Sequence, residues 1–201
     1  MLNTSQRRRA SQHGTSLVEV LVTLVILAFG LLGVAGLQAK MSLAEMESYQ
    51  RSQALLALTE MTERMSANAA QATSYLNQGT LGTGNAAQPA PQPTNCNPLS
   101  GPALDLCQWN ISLQGASEQK SAAKVGGTVG AVGCITQVQA INTALGACTA
   151  GIYRVSVAWQ GLNPTQAPAL ALACGLGSFG ADERYRRVIA TTVTVGTRAC
   201  F

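Results

Sequence analysis

The residues of this 201-residue chain best equipped for chemistry are six cysteines, Cys96, Cys107, Cys134, Cys148, Cys174 and Cys200, and two placements of carboxylates. Cysteine can ligate a metal, attack an electrophile or be oxidised to a disulfide, and spacing separates these uses. The intervals of 11, 27, 14, 26 and 26 residues contain no C-x-x-C, and His13 is the only histidine. Zinc ligation is therefore not expected, and no second histidine is available for a triad. An even count, all on the far side of a long apolar run, fits oxidation in the periplasm. Six cysteines allow fifteen connectivities. Local pairing is expected: Cys96 with Cys107 and Cys134 with Cys148, leaving Cys174 with Cys200. The first carboxylate placement is Asp182-Glu183, beside Arg184, Arg186 and Arg187. It reads as a solvated turn rather than as acid/base machinery, and the arginines as a solvated face. No G-x-S-x-G and no phosphate-binding G-x-x-x-x-G-K-[ST] occurs. Catalytic residues, metal ligands and cofactors are not expected, and neither is an enzyme.

The second carboxylate is Glu19, and it is the odder one. It lies in the run from Gly14 to Leu37, which from Val20 onward carries no charge and is mostly Leu, Val and Ile. About 20 apolar residues in helical form cross the hydrocarbon of a bilayer. A carboxylate one turn inside such a helix costs a few kcal/mol near the bilayer centre and less near the interface, and marks a functional residue. Arg7, Arg8 and Arg9 precede the run and hold that end in the cytoplasm, sending the remainder across. An uncleaved signal anchor is the plain alternative, since Gln-Ala-Lys-Met-Ser after Leu37 matches a signal-peptidase site poorly.

A basic leader ending in glycine, then glutamate five residues on inside an apolar helix, resembles the N-terminal signal of type IV prepilins. The segment Glu-Val-Leu-Val with Gly-Leu-Leu-Gly-Val-Ala-Gly-Leu-Gln is similar to the minor-pilin family called type IV pilus modification protein PilV. That resemblance is strong from Gly14 to Gln38, and looser at Asp105-Leu-Cys-Gln-Trp, Gly133-Cys-Ile and the stretch from Tyr153 to Gly161. It implies cleavage between Gly14 and Thr15 by a membrane prepilin peptidase and N-methylation of Thr15, where phenylalanine is usual. It implies that Glu19 serves subunit assembly. Gly30, Gly33 and Gly36 then have two compatible readings. They form a bare strip for close helix packing, and they make a part of the helix able to bend or melt in a filament.

The elements that must carry these residues follow from periodicity. Leu43, Met46, Ala54, Leu58, Met61, Met65, Ala69, Ala72 and Leu76 recur at helical steps, so one helix is expected from about Ser16 to Gln78, with Gly79 as its stop. The methionine stripe reads as core. Residues 79 to 102 hold five of the seven prolines and read as a loop. Leu104 to Ala123 is expected to be a short helix carrying Leu106, Trp109 and Leu113. Strands are expected at Val132–Val138, Gly151–Gln160 and Arg187–Val195, the second with Tyr153, Val155, Val157 and Trp159 alternating against Arg154, Ser156 and Ala158. Long helix followed by strands gives an α+β fold, pilin-like, with a membrane-spanning first half of the helix and a small antiparallel sheet on the second.

Three segments result: a cytoplasmic leader over 1–14, a transmembrane and polymerisation half-helix over 15–38, and a disulfide-containing periplasmic domain over 39–201. The net charge of +4 lies mostly in the leader; without Arg7, Arg8 and Arg9, ten basic residues face nine acidic ones. That balance argues against a dominant phosphate-binding role, so no nucleic acid is expected as partner. The resemblance implies a single-pass inner-membrane protein that later enters a pilus. Its implied partners are major and minor pilins through the N-terminal helix, and its implied roles are priming of assembly, adhesion and twitching motility. A pseudopilin of a type II secretion system, or a pilus-borne subunit binding a ligand or DNA, are the alternatives.

Overall fold

A computed structural model of the chain describes residues 14, 16–76, 81–83, 95–115, 119–120, 123–124, 128–142, 144 and 148–196. The chain divides into two compact units, one ending at Ala44 and the other beginning at Glu45. Helix α1, Leu17–Ala67, is 51 residues long and runs through both. Its first part has an apolar window with a mean hydropathy of 2.7, none of it buried.

In the second unit α1 buries one stripe: Gln50, Ala54, Ala57, Leu58, Met61 and Met65. Met61 and Met65 are fully buried, as the core reading of the methionines requires, whereas Met46 is 53% exposed. The helix stops at Ala67, earlier than the periodicity predicts. The side-chain amide of Asn68 donates to the Tyr75 hydroxyl and to Asp105 Oδ2, each at 3.0 Å. Those partners lie off the helical path, and the backbone turns into a 3-10 helix, Ala69–Tyr75, that drives the Tyr75 ring into the core. Gln78 and Gly79 lie outside the described residues.

Helix α2 spans Gly101–Leu113, not Leu104–Ala123. Proline in the first turn loses no hydrogen bond, because its missing N–H would be unpaired there, so Pro102 starts this helix rather than excluding it. Gly115, at φ +80°, ends it. The remainder of the expected helix holds a two-stranded ribbon, β2 (Gln119–Lys120) with β3 (Ala123–Lys124). The expected loop at 79–102 contains strand β1, Leu81–Gly82.

Strands β4 (Val132–Gln139), β5 (Gly151–Gln160) and β6 (Arg186–Val195) complete a four-stranded antiparallel sheet ordered β1-β4-β5-β6. Alternation sends Ile135, Tyr153, Val155, Val157, Trp159, Val193 and Val195 into one core with the α1 stripe, Trp109 and Leu113. On the other face a smaller cluster of Val132, Cys134, Ala158, Cys174 and Phe179 lies under the loop between β5 and β6.

Candidate processing and assembly site

Ser16 opens α1. Its Oγ accepts the backbone N–H of Glu19 at 3.2 Å, and its carbonyl accepts the N–H groups of Glu19 at 3.0 Å and Val20 at 3.3 Å. Ser-x-x-Glu at a helix start is the capping-box pattern, a signal present in the sequence beside Gly14 and not used in reading it. Glu19 therefore occupies the third helical position, where a carboxylate sits favourably against the positive end of the helix dipole. Its side chain is exposed.

Gly14 is exposed, and a Cβ there would meet nothing within 4 Å. Thr15 lies outside the described residues. Downstream, every apolar side chain faces outward, Leu17 at 82% exposure and Phe29 at 71%. Glu19 is the only charge between Leu17 and Ala39. Gly30, Gly33 and Gly36 sit within unbroken helix, and a Cβ at any of them would meet nothing within 4 Å.

Residues 9–35 match the family model described as the prokaryotic N-terminal methylation motif. The chain carries a prepilin-type signal. That motif supports a type IV pilin-like or pseudopilin protein, a structural rather than enzymatic class, and membrane anchoring near the N-terminus. The match covers the leader arginine Arg9, Gly14, Glu19 and the first two of the three glycines. No curated protein and no solved structure matches the chain.

Among the described residues the cysteines are oxidised. Cys96 is bonded to Cys107, as local pairing predicts. Cys134 is bonded to Cys174, not to Cys148. The reason is sheet geometry. Ile135 faces the α1 core, so Cys134 faces the opposite side, where the loop between β5 and β6 lies. Cys148 is also disulfide-bonded. The pairing of Cys174 with Cys200 is thereby excluded, and Cys200 lies outside the described residues.

In the acidic and basic cluster at 182–187, Asp182 and Arg184 are exposed, as a solvated turn requires, but Glu183 and Arg187 are half-buried and Arg186 is buried. Arg186 is only 1% exposed and is ion-paired with Glu183, with its guanidinium also donating to the carbonyls of Leu172 and Cys174. Glu183, at φ +57°, accepts the Gly177 N–H as well. These bonds hold the loop over Cys134. Gly175, at φ +66°, lets it close, because a Cβ there would lie 2.8 Å from the Phe179 ring and 2.9 Å from Ala158. Arg187 pairs with Glu47 of α1 at 3.0 Å.

A second polar network joins α1 to α2. Arg64 bonds Glu60 at 2.8 Å, Asp105 at 3.0 Å and Gln108 at 2.6 Å. The Tyr75 hydroxyl donates to Asp105 Oδ2. Burial, and then that bond to Asp105, push the Tyr75 phenol up to about 12.

Proposed function

We propose that the chain is a minor pilin of a type IV pilus, acting with other minor pilins to prime filament assembly and so supporting adhesion and twitching motility. The observation that carries this is the prepilin-type motif over residues 9–35, with a helix whose large apolar side chains from Leu17 to Leu37 are exposed. Such a surface is stable in a bilayer and, after extraction from it, only against other apolar helices. Prepilin peptidase cuts between Gly14 and Thr15 and methylates Thr15; the helix stays in the inner membrane with the domain from residue 39 in the periplasm, and then enters the pilus.

Support for the minor-pilin reading over a pseudopilin comes from the looser resemblances to the PilV family. The three stretches form one packing unit: Trp109 of the first lies against Gly133 of the second, which is in register with Val157 of the third. Glu19 pairs with a methylated N-terminal amine, its own or a neighbouring subunit's, because no Lys or Arg lies within the apolar run. Pairing between subunits fixes their axial register. The test is Glu19→Val. Cleavage and membrane insertion should persist while incorporation into sheared pili falls severalfold. Incorporation equal to wild type would remove Glu19 from assembly, and absence of the wild-type protein from pili would remove the minor-pilin reading.

A further inference from the structure

Strand β6 is the edge of the sheet: it pairs with β5 through ten consecutive residues without a bulge, and among the described residues no strand lies on its other side. In an unbroken antiparallel pair, alternate residues exchange both hydrogen bonds with the neighbour, and the others direct N–H and C=O away from it. Half of β6 therefore presents main-chain donors and acceptors outward. Proteins ordinarily blunt such an edge with lysine, proline, a bulge or a very short strand. Here Val188-Ile-Ala-Thr-Thr-Val-Thr-Val195 has no charge, no proline and no glycine, and is dominated by β-branched residues.

One end of this edge adjoins a cavity of about 380 Å³ between α1 and β6, lined by Glu47, Ser48, Arg51, Trp159, Arg187 and the first apolar residues of the strand. The charges in it are unequal. The Arg187 guanidinium is committed to Glu47 at 3.0 Å, to Thr165 Oγ1 at 2.7 Å and to the carbonyls of Arg184 and Asn163. Arg51, which is exposed, has no hydrogen-bond or ion-pair partner among the described residues. The cavity thus offers one uncommitted cation beside an indole and an open strand edge.

We propose that β6 is a strand-addition site for an extended segment of a partner protein bearing a carboxylate, which pairs with the outward main chain of Val188–Val195 and places its carboxylate on Arg51. Main-chain bonds supply the affinity in this mode and side-chain pockets the selectivity. A second copy of this chain fits less well. Its own β6, set antiparallel, would bring residues of Val188–Gly196 to Arg51, and none of these is acidic. The inference is independent of the pilin reading, since it uses only the second unit.

The test uses the full chain in detergent micelles and two acetylated, amidated peptides, Thr-Val-Glu-Val-Thr-Val and its glutamine counterpart. Binding of the first should slow amide hydrogen exchange within 188–195 and leave β4 unchanged. Exposed ion pairs contribute up to about 1 kcal/mol, so the glutamate peptide should bind up to about fivefold more tightly. In Arg51→Gln, which removes an exposed side chain, the two peptides should bind equally. Unchanged exchange over 188–195 at millimolar peptide would overturn the proposal, as would a glutamate preference that survives in Arg51→Gln. Slowing of the same amides by raising the protein concentration alone would assign the edge to a second copy, and would equally overturn it.

Discussion

The indole N–H of Trp109 donates to the carbonyl of Ala57 at 2.8 Å, and the same ring closes over Gly133, where a Cβ would come within 2.6 Å of it. One fully buried side chain thus ties α2 to both α1 and β4. An α1 carbonyl engaged from outside the helix satisfies the indole, which in a dry core would otherwise cost one to a few kcal/mol. Gly133→Ala should therefore destabilise the second unit by roughly 1–3 kcal/mol, the range for overpacking a core. Chemical denaturation followed by tryptophan fluorescence measures it; an unchanged midpoint would mean that Trp109 yields without loss.

The disulfides differ in the chain they close. Cys134–Cys174 spans 40 residues and Cys96–Cys107 spans 11. Constraint of the unfolded chain alone gives roughly 4 kcal/mol for the longer loop and roughly 3 for the shorter. Replacing Cys134 and Cys174 together by alanine should lower stability more than replacing Cys96 and Cys107. Non-reducing mass mapping should find both bonds and, by count, Cys148 with Cys200. A peptide joining Cys134 to Cys148 would contradict the sheet geometry.

Arg186 secures the same loop without a covalent bond. Arg186→Met leaves the carbonyls of Leu172 and Cys174 without their donor and Glu183 without its cation. Breaking a buried pair from one side costs roughly 3–5 kcal/mol. Faster amide exchange around 172–176, with the Cys134–Cys174 bond still formed, is the expected result. Exchange at the wild-type rate would show that the disulfide alone holds the loop.

Alkaline pH should act through Tyr75. The folded phenol titrates at about 12 against an ordinary value of 10.0, so folding favours the protonated form. Its contribution, on the order of 2 kcal/mol, is fully present below pH about 10 and is lost as pH rises through about 12. Stability measured across that window should fall. In Tyr75→Phe stability should be lower at neutral pH and the part of the alkaline slope due to this group should vanish.

Much of this architecture is legible locally. Strand β5 falls on Gly151–Gln160 as alternation predicts, although from Val155 to Trp159 both of its faces are buried, one against α1 and the other under the loop that carries Cys174. Gly14, Glu19 and the apolar run carry their meaning in type and spacing alone. What escaped depends on distant partners. Asn68 ends α1 by bonding Asp105, 37 residues away. Two-residue β1 has no periodicity to show, and exists because Asn110 of α2 accepts the Gly82 N–H at 2.8 Å. The buried state of Arg186 follows from carbonyls that only the folded loop brings together. The partner of Cys134 was readable in part: strand parity sets its face, though not what covers that face.

The most direct test of the account is the mass of the mature N-terminus, taken from protein isolated from membranes. The prepilin-type signal predicts a chain beginning at Thr15 with a methylated amine and with residues 1–14 gone. An intact Met1, or a first residue beyond Leu37, would contradict it.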